Sequence, residues 1–403
     1  MTARTGYDAA RFASLMQEAR LDAVIAWGGS NFHYLTGFQN YFDNPGGSLA
    51  LAPADPAIPG MVLVASWVQD SARANSVISD IRSYPLWIEI GDIEEIRAGT
   101  ATRHSKPSPR FDISRNMGML ADAVIERGLD SGRIGIEMNL VSASAFAILQ
   151  AKLPNVIFVE AATVFTDLRA IKSSFEIDCI REATRFAEEG LLAVVAGPLR
   201  GLDTNGLKMI YDTTCARRAA RMPDAGFAGT RVTASVGADI SPTIAGGKHI
   251  ARDDAVFFDC AALIHGYGSD TGRTLLFQEP SSDARMIMDA VCAGMDAAID
   301  LMRPGVAMSD IFHAGQNAVR AKGLDWYTRG HIGHAMGLGM TEQAPYLSPV
   351  EARVLLPGMV IALETPLYVK GMGGFQVEEC FVITETGHEK LTSLPRDFMM
   401  ATF

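Results

Sequence analysis

The stretch Phe257-Phe-Asp-Cys-Ala-Ala-Leu-Ile-His-Gly-Tyr-Gly-Ser-Asp-Thr-Gly-Arg-Thr274 sets Asp259 amid apolar, strand-like neighbours and Asp270 just before the apolar end of a second strand, on either side of a turn, Ile264-His-Gly-Tyr267. A hairpin through that turn predicts Asp259 and Asp270 roughly opposite each other. A carboxylate inside an apolar strand is costly to bury unless it is paired, hydrogen-bonded or bound to a cation. Two more acids stand in the same kind of setting downstream, Glu364 in Ile361-Ala-Leu-Glu-Thr-Pro366 and Glu378 in Phe375-Gln-Val-Glu-Glu-Cys380. If all four converge, the pocket requires compensating cations. Two divalent ions would serve, with an imidazole as the natural nitrogen ligand for a borderline transition metal. Two histidines, His331 and His334, lie in the glycine-rich Gly330-His-Ile-Gly-His-Ala-Met-Gly-Leu-Gly-Met-Thr-Glu-Gln-Ala-Pro345.

Working outward, the chain reads as two domains. Residues 1–164 alternate helical and strand patterns: a helix over Ala9 to Ala19 and strands at Asp22 to Trp27, Met61 to Ala65, Arg133 to Glu137 and Val156 to Glu160, an α/β domain. Gly99 to Arg110 has the composition of an exposed excursion within it, and His104 there reads as exposed. From Ser173 a capping box with Glu176 opens a helix whose apolar or small face runs through Ile177, Ile180, Thr184, Ala187 and Leu191. The second domain, 165–403, then mixes strands at 255–263, 268–277, 360–369 and 374–384 with helices at about 282–302 and 308–322.

Composition bounds the function. With 403 residues and 48% hydrophobic content the chain has ample material for folded cores. The 46 acidic against 35 basic residues, a net charge of -11 without a basic stripe, argue against nucleic acid as a partner. Five separated cysteines without a CxxC pair fit a reducing compartment, and no segment has the apolar run of a signal peptide or membrane span. The expected location is cytoplasmic.

Taken together, these residues resemble the creatinase, prolidase and methionine aminopeptidase family, whose catalytic domain has the pita-bread fold. The likeness is strongest to its Xaa-Pro dipeptidase-like and creatinase-like members. The family's order of two aspartates, a histidine and two glutamates matches Asp259, Asp270, His334, Glu364 and Glu378. Gly272-Arg-Thr274 is similar to its Thr-Arg-Thr, and His334-Ala-Met-Gly-Leu338 fits its GHGIGL. Leu168-Arg-Ala-Ile-Lys-Ser173 with Glu176-Ile177 resembles its entry to the catalytic domain, and Asn31-Phe-His-Tyr-Leu-Thr-Gly37 its N-terminal domain. The resemblance implies two divalent ions (Mn, Co, Zn or Fe) on those five ligands. It also selects Glu378 over Glu379, since neighbours in a strand point to opposite faces; Glu379 is then a solvated residue or one behind the ligands.

The resemblance further implies a hydrolase acting on a C–N acyl bond, as in enzymes that cleave Xaa-Pro peptides, with Glu342 or Glu364 moving the proton, and a homodimer. The sequence departs from the peptidases at two places where they carry histidine: Thr243 in Ser241-Pro-Thr-Ile244, with His249 the nearest substitute, and Thr341 before Glu342. A threonine donates a hydrogen bond but cannot hold a proton or charge as imidazole does. This leaves open a creatinase-like or ectoine-hydrolase-like reaction on a small nitrogenous compound, and, from another class, a pita-bread binding module without catalysis. His331 stands as a catalytic or substrate-contacting group or as a structural histidine. Arg273 and Arg329 stand as anchors for a substrate carboxylate or as ion-pair partners of the acids. His33, Tyr34 and Tyr267 read as packing or substrate contacts, and His388 as exposed.

Overall fold

The protein is described here by a computed structural model covering residues 6–40, 46–86, 92–99, 112–238, 247–339 and 343–403. His104, Thr243, Thr341 and Glu342 lie outside the described residues. The chain divides into two compact units between Arg169 and Ala170. The boundary read from the sequence, 164/165, falls inside the helix Ala162–Ala170 that carries the chain across that division.

In the first unit, β1 (Ala23–Trp27), β2 (Leu49–Pro53), β3 (Met61–Ala65), β4 (Ile81–Tyr84), β5 (Arg133–Ile136) and β6 (Ile157–Glu160) form one mixed sheet in the order β4-β3-β2-β1-β5-β6. β1 to β3 are buried along their whole length, which is why they read as unbroken apolar runs rather than alternating ones. Asn31, on the helix Gly29–Thr36, donates to Glu137 Oε1 at 2.6 Å and accepts from Arg169 Nη1 at 2.9 Å, a polar clamp at the end of β5.

The second unit opens with the expected capping box: Ser173 Oγ accepts from the Glu176 amide, and Glu176 Oε2 accepts from the Ser173 amide at 2.8 Å. Its strands are β7 (Phe227–Val236), β8 (Val256–Ile264), β9 (Tyr267–Gly268), β10 (Thr271–Leu276), β11 (Gly333–Ala335), β12 (Gln343–Tyr346), β13 (Val360–Glu364), β14 (Leu367–Val369), β15 (Gly373–Phe375), β16 (Val377–Ile383), β17 (His388–Lys390) and β18 (Met399–Met400). The main sheet runs β12-β11-β13-β16-β10-β8-β7. The helices Ser282–Ile299 and Met308–Ala321 share an apolar core with Ile361, Leu363, Val377, Phe381 and Ile383. On β8, Phe258 meets Tyr211 of the helix Thr204–Arg221 on that same helical side of the sheet. By strand alternation Asp259, Glu364 and Glu378 therefore stand on the opposite face. No described helix is long and apolar enough to cross a membrane.

Three strands expected to be continuous are interrupted, and each interruption falls beside an acid. Ser269 and Asp270 separate β9 from β10, Thr365 and Pro366 separate β13 from β14, and Gln376 separates β15 from β16. At Pro366 the cause is local, since proline has no N–H for the ladder. The hairpin register also differs from expectation: the residue opposite Asp259 is Gly272, with Asp270 two positions earlier on the same face.

Candidate metal centre

A row of facing residues crosses the sheet. Thr233 of β7 lies opposite Asp259 of β8, Asp259 opposite Gly272 of β10, Gly272 opposite Glu378 of β16, and Glu378 opposite Glu364 of β13. His334 on β11 pairs with Ala362, two residues before Glu364, and so joins the same face from the far side of β13. Glycines allow this crowding. A side chain at Gly333 would run into the Ala362 carbonyl, and one at Gly268 into the Gly339 carbonyl where the glycine-rich segment bonds back to the Asp270 turn.

Asp270, His334 and Glu378 come closest together. Each offers a ligand atom, all within 4.8 Å of one another, and all three residues are buried. His334 Nε2 lies 3.9 Å from Asp270 Oδ2 and 3.7 Å from Glu378 Oε1. The His334 Nδ1 proton is directed to the Ala335 carbonyl at 3.2 Å, which leaves the Nε2 lone pair facing the acids. This is a donor set of one nitrogen and several oxygens, in a buried cluster with an excess of carboxylates. It fits a divalent transition metal.

The remaining acids flank this triad. Asp259 accepts from both terminal nitrogens of Arg231, at 3.2 and 3.3 Å. Glu364 sets Oε1 3.5 Å from Arg329 Nη2 and 3.9 Å from His331 Nδ1, while Oε2 accepts a long bond from Gln376 Nε2 at 3.4 Å. Gln376 Nε2 also donates to Glu378 Oε2 at 2.8 Å. Burial, followed by the charges of Asp270, Glu364 and Asp259, pushes the Glu378 carboxyl well above its ordinary range. Burial and then the Asp270 charge push Asp259 up to about 8, against the pull of Arg231. The protein builds this cluster at an electrostatic cost that a bound cation would offset.

Glu378 and Glu379 part company across the strand. Glu379 is not solvated: it is fully buried on the helical side, 3.0 Å from Arg273 Nη2 and 2.6 Å from Lys390 Nζ. Arg273 is equally buried and donates as well to the carbonyls of Gly272, Glu378, Leu394 and Pro395. These partners enclose its guanidinium completely, whereas Arg329 stays beside Glu364. His331, half-buried, packs its ring 5.4 Å from that of Tyr346, with Nδ1 3.9 Å from Glu364 Oε1. His249 is exposed and hydrogen-bonds the Gly201 carbonyl. Tyr34 is bound to the Gly6 carbonyl, Tyr267 packs edge-on against Phe175, and His33 lies in the last turn of its helix in the first unit. His388 is half-buried rather than exposed, at 2.8 Å from the Met302 carbonyl.

Two residues at the site were not singled out from the sequence, Arg231 and Gln376. A signal for Gln376 existed, since it lies two residues before Glu378 and shares its face. Arg231 bears the same relation to Thr233, but the β7–β8 register that brings Thr233 to Asp259 depends on a long connection. The sequence does not define that register.

Comparison with known proteins gives a consistent picture. The model of metallopeptidase family M24 matches residues 178–385, and that of the creatinase/prolidase N-terminal domain matches residues 9–171. An Xaa-Pro dipeptidase of Pyrococcus horikoshii is 26% identical over 242 residues, 60% of this chain and 68% of that protein. An uncharacterized peptidase of Bacillus subtilis, YqhT, is 26% identical over 294 residues, 72% of this chain and 82% of that one. The crystal structure of the Pyrococcus horikoshii prolidase superposes with a TM-score of 0.77 at 21% identity, covering 96% of this chain and 99% of that one. The dipeptidase PepE of Mycobacterium ulcerans superposes with a TM-score of 0.79 at 20% identity, covering 98% and 97%.

Proposed function

The chain belongs to metallopeptidase family M24, and from that premise we propose that it is a divalent-metal-dependent hydrolase of Xaa-Pro dipeptides or short peptides, with Asp259, Asp270, His334, Glu364 and Glu378 as its ligands. The reading rests above all on the buried triad of Asp270, His334 and Glu378. A divalent ion held by these residues would supply Lewis acidity toward water and the scissile carbonyl. Glu364, at the edge of the triad and in contact with Arg329, takes up the proton of the attacking water and returns it to the departing amine nitrogen. Glu342 is the second candidate for that transfer. His331 orients the Glu364 carboxylate, and Arg329 offers its guanidinium to the carboxylate of a short peptide. The ion is Mn, Co, Zn or Fe, since this mixed donor set suits each of them. The resemblance to the family adds a homodimeric assembly to the proposal.

A second reading keeps the hydrolytic centre and changes the substrate to a small nitrogenous amide or guanidino compound. It is favoured by Thr243 and Thr341, which stand where peptidase relatives carry histidine. One screen separates the two. Protein supplied with Mn(II) or Co(II) is offered Xaa-Pro dipeptides beside creatine and ectoine, and proline release identifies the peptidase. Turnover of the small compounds alone, with the metal bound, would replace the first reading by the second.

A further inference from the structure

Arg231 brings a permanent positive charge of the chain's own into the ligand cluster. It projects from β7, two residues from Thr233 and on the same face, and is opposite Ala261 in the β7–β8 ladder. Its Nη2 lies 2.7 Å from Asp270 Oδ1 and 3.2 Å from Asp259 Oδ1, and its Nη1 lies 3.3 Å from Asp259 Oδ2 and 3.2 Å from Thr233 Oγ1. Asp259 is thus engaged through both oxygens. Asp270 is divided, with Oδ1 toward the guanidinium and Oδ2 toward His334.

The cluster therefore has two unequal halves. On one side Asp270 Oδ2, His334 Nε2 and Glu378 Oε1 lie within 4.8 Å of one another, and Arg231 hydrogen-bonds this group through the other oxygen of Asp270. On the other, the space between Asp259 and Asp270 is bridged by a planar donor that matches carboxylate geometry and stays protonated throughout the physiological pH range. A cation entering there must first displace Arg231.

We propose that Arg231 makes the two ion positions of this centre unequal: one divalent ion binds at Asp270, His334 and Glu378 with Arg231 in place, and a second binds beside Asp259 only when the guanidinium withdraws. The resting protein is then a one-ion form whose second carboxylate site is neutralised internally. The inference rests on the metal-centre reading above and adds to it a residue that sets stoichiometry.

The test is a Mn(II) titration of metal-stripped protein, following bound metal by equilibrium dialysis and Mn–Mn coupling by electron paramagnetic resonance, for the parent, Arg231→Gln and Arg231→Ala. Circular dichroism establishes that each variant is folded. The parent should bind one Mn(II) per chain, with the second step weaker by about tenfold or more, as expected when the Arg231 pairing with both aspartates must first be broken. Both variants should tighten the second step by about tenfold or more, tighten the first by a smaller factor because Asp270 is shared, and show the coupled signal at lower metal concentration. A parent that binds two ions with equal affinity, or variants whose second step does not move, would overturn the inference while leaving the metal centre standing. A parent that binds no Mn(II) would overturn both.

Discussion

Glu364 and Glu378 face each other directly across the β13–β16 ladder. Like charges in that position repel, and burial leaves little water to screen them. The sheet tolerates the pair because Gln376 donates to both, at 3.4 and 2.8 Å, and because Arg329 lies against Glu364.

The adjacent glutamates on β16 should behave in opposite ways. Glu378→Gln removes a proposed ligand and a repulsive charge, so metal content should fall while urea stability is kept or rises. Glu379→Gln leaves Arg273 buried with a weakened partner and should cost about 3–5 kcal/mol with metal affinity retained. Urea melts and metal analysis of both variants check this; equal effects would mean that the two faces of β16 have been misassigned.

Gly272 holds open the centre of the row. A Cβ built there meets Gln376 Cδ at 2.5 Å, so Gly272→Thr should displace the Gln376 side chain, destabilise the protein by about 1–3 kcal/mol and weaken metal binding. With Gln376→Ala in the background, the Gly272→Thr penalty should shrink. Additive effects in that double-mutant cycle would show that the two side chains do not compete for the same space.

The buried thiols give a pH dependence of stability. Burial pushes Cys215 up to about 12 and Cys292 up to about 11, and holds Cys260 and Cys380 well above the thiol range. Their folded-state values exceed the unfolded value of about 8.5, so the stabilisation is complete below that pH and is lost as pH rises toward the folded values. Each thiol contributes a slope of up to about 1.4 kcal/mol per pH unit in that window. Denaturation midpoints measured from pH 8 to 11 should fall, and Cys215→Ala should flatten the decline. A flat profile in the parent would mean that the thiols are not buried in the native state.

The legibility of this centre follows from which constraints are local. Acids embedded in apolar strands announce themselves, because alternation alone says that Asp259, Glu364 and Glu378 must face something polar. The cap at Ser173 is equally local, since its four residues contain the whole hydrogen-bond pattern. What stayed hidden depends on register. Asp270 lies two residues from the position opposite Asp259, and Arg231 reaches both aspartates only because β7 pairs with β8 as it does. Glu379 was legible as facing away from the site, but its burial was not, because that depends on Arg273 and Lys390 converging from other strands.

The central claim, that Asp270, His334 and Glu378 form the core of a catalytic metal centre, is tested most directly by the metal content of His334→Ala beside the parent, after both are equilibrated with Mn(II) and dialysed. His334 supplies the nitrogen of the triad, and its replacement leaves the carboxylates in place. The account predicts a parent that retains Mn(II) near stoichiometry and a folded variant that loses most of it. A folded His334→Ala protein with undiminished Mn(II) would contradict the account.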